Sequence, residues 1–158
     1  MKKIWIIAAI FIIILAIAGI GLWYMSTQVE NLIIYNDTSL HGMASGHEYA
    51  YVHVKNGGAN ILQIYQIEIF NVTATFTEDI VIPPGVECVI KFYVDGGPVT
   101  IETVSLGPEG TAASGGGMAV TNSPNNPAPC QSSTWFSAYI YSRSGKTYEM
   151  DHIYAINN

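Results

Sequence analysis

One stretch limits this chain more than any other: Ile4 to Leu22, IWIIAAIFIIILAIAGIGL, an unbroken apolar run without a charged side chain. As a helix its nineteen residues would rise about 28 Å, close to the hydrocarbon thickness of a bilayer. It is apolar on every side, unlike the one-sided stripe of a helix resting on a soluble core. Ile4, Ile7, Phe11, Ile12, Leu15 and Leu22 are therefore expected to form a helix core packed against lipid or against other helices. Lys2 and Lys3 precede the run and the next basic residue is Lys55, so the positive-inside tendency puts everything after the run outside the cell. Trp5 near one end, and Trp23 and Tyr24 at the other, suit the two membrane interfaces. A cleaved signal peptide is the competing reading. Its apolar region spans about 7–15 residues before a small-x-small site, whereas here Ala16-Ile17-Ala18 lies inside the run. The expectation is a retained helix over residues 1–31, followed by an extracellular β domain over 32–158.

Charge agrees with an outer location. The chain has twelve acids and six bases; setting Lys2 and Lys3 aside leaves four bases, so the outer part carries about −8. Such a surface does not hold nucleic acid electrostatically. Cys88 and Cys130, the only cysteines, both fall on the outer side, where a disulfide persists. A bond between them is expected to close about 40 residues and to contribute roughly 3–4 kcal/mol. The alternative is two separate thiols, Cys88 acting as a small core hydrophobe.

Beyond the run, period-two alternation dominates. Leu32 to Tyr35 reads as a first strand, and His41 to His47 as a glycine-containing loop. In Glu48 to Lys55, Ala50, Val52 and Val54 share one face; Asn56-Gly57-Gly58 is a hairpin-type turn signal. Ile61 to Phe70 is strongly β-forming, with an alternation slip near Ile64-Tyr65 that suggests a bulge, and Asn71 to Phe76 reads as its extension. Pro83-Pro84-Gly85 ends the strand at Ile80 to Ile82, because proline cannot donate to a ladder. Val86 to Val94 places Val86, Cys88, Ile90, Phe92 and Val94 on one side. Asp95-Gly96-Gly97 turns the chain into Pro98 to Leu106. Thr134 to Arg143 and Lys146 to Ala155 form a closing pair, with Phe136, Ala138 and Ile140 inward and Tyr148 and Met150 opposite. Gly107 to Ser133, rich in Gly and Pro, reads as a long loop. The fold class is mainly β: a long apolar helix, then an antiparallel β-sandwich of about eight strands.

The apolar helix leading into NGGANILQIYQIEI, then IVIPPGVECVIKFYV, then the closing YIYSRSGKTYEM, resembles archaeal type IV pilin-like proteins, the superfamily that includes archaellins. The resemblance covers nearly the whole chain as a pattern rather than through one motif. It implies a structural subunit of an extracellular pilus-like filament, a homopolymer whose helices bundle centrally while the β domains form the outer wall, membrane-inserted before assembly. The chain departs from that family at Lys2-Lys3-Ile4, where a small residue normally marks the cleavage site. An anchored pilin-like accessory protein that does not polymerise is the alternative, and an anchored ligand- or metal-binding sandwich is a second.

Catalytic and metal motifs are not found. His41, His47, His53 and His152 lack HExxH or i,i+4 spacing, and Cys130, Met150 and His152 lack the compact Cys/His/Met loop of blue-copper sites. There is no GxSxG, and Gly115-Gly116-Gly117 lacks the Lys-Ser/Thr of a phosphate loop. The expectation is no enzyme, no cofactor and no metal. Asn36-Asp37-Thr38 and Asn71-Val72-Thr73 match the N-glycosylation triplet, and Asn36, at a strand end, is the better placed.

Overall fold

A computed structural model describes residues 12–21, 30–42, 48–69, 72–122 and 135–157. Residues 12–21 form a short helix, α1, whose side chains are all exposed. The helix-core expectations for Ile4, Ile7, Phe11 and Leu22, and the helical continuation through residues 26–29, lie outside the described residues. Glu30 and Asn31, expected to end that helix, are not helical, and Asn31 O instead accepts from Gly57 N–H at 2.8 Å. Among the described residues no helix is long and apolar enough to cross a membrane.

The rest is β. The strands are β1 (Leu32–Ile34), β2 (Ser39–Gly42), β3 (Tyr49–Asn56), β4 (Leu62–Ile69), β5 (Val72–Ile82), β6 (Glu87–Tyr93), β7 (Gly97–Pro98), β8 (Thr100–Ser105), β9 (Ser114–Asn122), β10 (Trp135–Ser142) and β11 (Thr147–Asn157). They pair in one sheet of eleven strands, in the order β7-β9-β5-β4-β10-β11-β2-β3-β6-β8, with β1 on β3. Every pairing is antiparallel except β11 with β2, where Tyr154 to Asn157 run parallel to Ser39 to Gly42. The two ends of this order, β7 and β8, are separated in sequence by Val99 alone. The sheet therefore curls until its ends meet, and Val99 N–H donates to Gly117 O at 3.0 Å at the junction.

The curl encloses one core. Ala50, Val52 and Val54 of β3 are fully buried, as are Cys88 and Ile90 of β6. Across the interior, Phe76 of β5 meets Phe92 of β6 edge to face at 5.7 Å, a geometry that suits two ring quadrupoles. Ala138 and Ile140 are buried opposite Met150 and Tyr148 in the closing hairpin. The predicted bulge lies at Tyr65: pairing of β4 with β5 and with β10 shifts around it, leaving Tyr65 and Gln66 both off the core face.

Several expectations need correction. Among the described residues the strands number eleven rather than about eight. Residues 72–76 do not extend β4; they begin β5, which runs back along it with Ile69 opposite Val72. Part of the interval 107–133 read as loop is strand β9, and Pro108–Gly110 is a 3-10 turn. His41 and Gly42, assigned to a loop, end β2. Asn56-Gly57-Gly58 is not a hairpin turn, because β3 and β4 do not pair. The reason is Asn56, a fully buried residue. Its Nδ2 donates to Asn60 O and Ile82 O, both at 2.7 Å, and its Oδ1 accepts from Gly58 N–H at 2.9 Å. A buried amide satisfied in this way holds the turn against β5, and the chain passes to the other side of the core.

Candidate functional site

β1 and β2 lie on the same edge of β3, but their registers differ: Ile34 faces Val54, whereas Ser39 faces Tyr51. The Asn36-Asp37 turn between them takes up the difference. Thr38 Oγ1 accepts from His53 N–H at 3.0 Å, and Tyr35 N–H donates to His53 O at 2.9 Å, so the corner is stitched to β3 on both sides of its turn.

Outward-facing side chains lock the same corner. His53 stands between two carboxylates, Nδ1 at 2.8 Å from Asp37 and Nε2 at 3.0 Å from Glu87. Tyr35 stacks on the imidazole with ring centres 4.3 Å apart, and its hydroxyl donates to Glu87 at 2.9 Å. Lys55 Nζ completes the group 3.9 Å from Glu87. Neutral imidazole donates from one nitrogen; only imidazolium donates to both neighbours. The Tyr35 hydroxyl first, then His53 and Lys55, hold the Glu87 carboxyl below its ordinary 4.5. The same bond raises the Tyr35 phenol. On the far side of the sheet, Arg143 grips Asp79 with Nε at 2.8 Å and Nη2 at 2.8 Å, which depresses that carboxyl.

Both carboxyls are depressed on folding. Their contribution is therefore complete above the ordinary values of 4.5 and 3.8 and is lost as pH falls through the lower folded values. Thermal melts from pH 6 to 2 are expected to fall off below about pH 4.5, with a shallower fall in Glu87→Gln. Parallel curves for the two proteins would refute this role for Glu87.

The histidines divide plainly. His41 stacks on Tyr49 at 4.6 Å, nearly parallel, while Lys91 Nζ lies 4.0 Å from the centre of the Tyr49 ring. Burial lowers the His41 pKa, with Lys91 adding to it. His53 belongs to the corner; His47 and the side chain of His152 lie outside the described residues. Asp37 and Glu87 sit on opposite nitrogens of one ring, and no group of three such residues among the described ones could hold a metal ion.

Behind the corner is a cavity of about 200 Å³. Ile34, Met150 and Ile153 give it apolar walls, and Tyr35, Asn36, Thr38 and Glu149 complete the lining. It exists because β2, but not β1, pairs with β11. Below it, the Lys146 ammonium donates to Glu30 O at 2.9 Å and Ser144 Oγ bonds the Glu30 carboxylate. The opening between β1 and β11 is thus bounded at its lower end by the hairpin turn and at its upper end by the parallel pair.

Of the residues singled out from sequence, Asn36 lies exposed at this corner. Ile12 and Leu15 lie on α1, 66% and 58% exposed. Cys88 is a free thiol here, fully buried, and burial first, then the Glu87 charge, pushes its pKa up to about 12. Cys130 and Asn71 lie outside the described residues. Sequence reasoning missed the Tyr35/Asp37/His53/Glu87 group and the cavity. The outward alternation of Tyr51, His53 and Lys55 was the one available signal, and it does not say which strands flank β3. No family model matches the chain, and no curated protein matches it.

Proposed function

We propose that the chain is a structural subunit of an extracellular pilus-like filament, with apolar helices forming the central core and β domains the outer wall. The observation that carries this reading is α1. Ile12, Ile13, Ile14, Leu15, Ile17 and Ile20 are all 57% or more exposed, a density of bare aliphatic surface that a chain covers with lipid or with copies of itself. The β region closes its own core without that helix, as an outer wall requires. In this reading the apolar run Ile4 to Leu22 is one long helix, membrane-inserted before assembly, and the curled sheet is the sandwich that the resemblance implies. Electron microscopy of sheared surface material, with mass spectrometry of the native amino terminus, tests it. Filaments containing the chain support the proposal; recovery in membranes alone assigns the chain to a single-pass anchor. Lys2-Lys3-Ile4, without the small residue of a processing site, favours that second reading.

An outer location carries two modifications with it. Asn36 presents its amide in an exposed turn and is the proposed glycan acceptor. A Cys88–Cys130 bond is the proposed mature state, joining the core of β6 to the segment before β10. Thiol labelling of surface-derived protein under denaturing, non-reducing conditions is expected to find no free thiol. Two labelled thiols per chain would overturn the bond.

A further inference from the structure

We infer that the opening between β1 and β11 is a strand-addition site for an extended peptide that carries an aliphatic side chain flanked by basic ones. Tyr35 N–H donates to His53 O, and Gly57 N–H donates to Asn31 O. Antiparallel pairing alternates, so Leu32 and Ile34 turn their own backbone groups away from β3, toward the opening. On the other bank, Ser142 N–H donates to Lys146 O, so by the same alternation Thr147 and Glu149 face away from β10. Two strand edges therefore look across one gap, and neither is paired to the other. Peptide backbone in β conformation, with its polar groups repeating every second residue, is the ligand chemistry that matches such an edge.

The cavity sets the side chain. Its 200 Å³ is room for one Ile or Leu side chain, lying on the wall made by Ile34, Met150 and Ile153 while Tyr35, Asn36, Thr38 and Glu149 line the rest. Charge sets the flanks: Glu149 is the one charged residue lining the cavity, in a chain with net charge −6. This site does not depend on the filament reading, since an anchored monomer would present it equally.

The test uses isotope-labelled full-length chain in detergent micelles, titrated with the capped pentapeptide Val-Lys-Ile-Lys-Val, whose two Lys alternate to the face opposite the Ile, the face of Glu149. Saturable shifts of the Ile34 and Glu149 amides are expected. Replacing the central Ile of the peptide by Pro removes a donor, and is expected to weaken binding more than about tenfold. Glu149 is exposed, so Glu149→Lys leaves the fold intact. It is expected to weaken the basic peptide about tenfold and to favour Val-Glu-Ile-Glu-Val instead. Absence of saturable shifts would overturn the inference, as would equal binding of the Pro peptide or indifference to Glu149→Lys. Sedimentation of the chain alone covers the remaining occupant. Self-association that Glu149→Lys abolishes and the peptide does not compete with would assign the opening to a second copy and overturn the peptide site.

Discussion

Gly115→Ala is expected to destabilise the sheet by at least about 3 kcal/mol, against about 1–2 kcal/mol for Gly145→Ala. Both glycines have left-handed backbone, φ +95° and +86°, and share the penalty that any L side chain meets there. They differ in what surrounds them. A Cβ at Gly145 meets nothing within 4 Å, whereas at Gly115 it falls 2.0 Å from the Asp79 carbonyl oxygen. That oxygen belongs to β5 in mid-sheet and has no side-chain freedom to yield. Relief requires β9 to separate from β5, which loosens the seam where Gly116 packs on Val99. Urea denaturation of the two variants beside the parent isolates the clash from the shared backbone term. Equal losses for the two would show that the approach of β9 to β5 is not tight.

For the proposed filament subunit, Ile12→Asp, or Leu15→Asp, is expected to eliminate filaments while leaving the β region folded. Both side chains are exposed in the single chain, so the substitution costs the monomer nothing through its own packing. The penalty falls on whatever covers the helix. An aspartate enclosed by aliphatic side chains has no partner and must be buried charged or take up a proton, a cost of several kcal/mol per copy. Repeated along a polymer, it is prohibitive. Two measurements are made together: the chain in the sheared fraction by microscopy, and the chain in membranes by immunoblot. Absence from the first with retention in the second locates the failure in assembly. Undiminished filaments would sink the assembly role.

How much could be foreseen follows from where the information lies. β3 and β6 were legible because each alternates cleanly, Ala50/Val52/Val54 and Cys88/Ile90/Phe92 carrying the core face. The bulge at Tyr65 was legible because two successive residues broke that rhythm. β9 was not, because Gly115, Gly116 and Gly117 have no side chains with which to show a period. Their conformation is dictated by the neighbouring strand. The Asn56 turn misled for a related reason: Asn-Gly is a hairpin signal only when its amide is not claimed elsewhere. The corner and the opening behind it depend on β2 pairing with β11 while β1 does not, a long-range choice that no local pattern encodes.

That choice also has a temporal side. In the strand order, β10 and β11 sit in the middle, between β4 with its neighbours and β2 with its own. Residues up to Asn122 can form two fragments that meet at the β7–β8 junction, but their other margins, β4 and β2, are joined only through residues 135–157. A ribosome must release the hairpin before either half acquires its β10 or β11 neighbour, so until then the interior stays open on that side. In the proposed surface subunit, whose β region would cross a membrane, lateness of this kind is an advantage: a polypeptide that cannot close prematurely remains threadable. It also makes residues 135–157 the point at which quality control would discriminate, since a chain stopped short of them presents two unzipped margins at once.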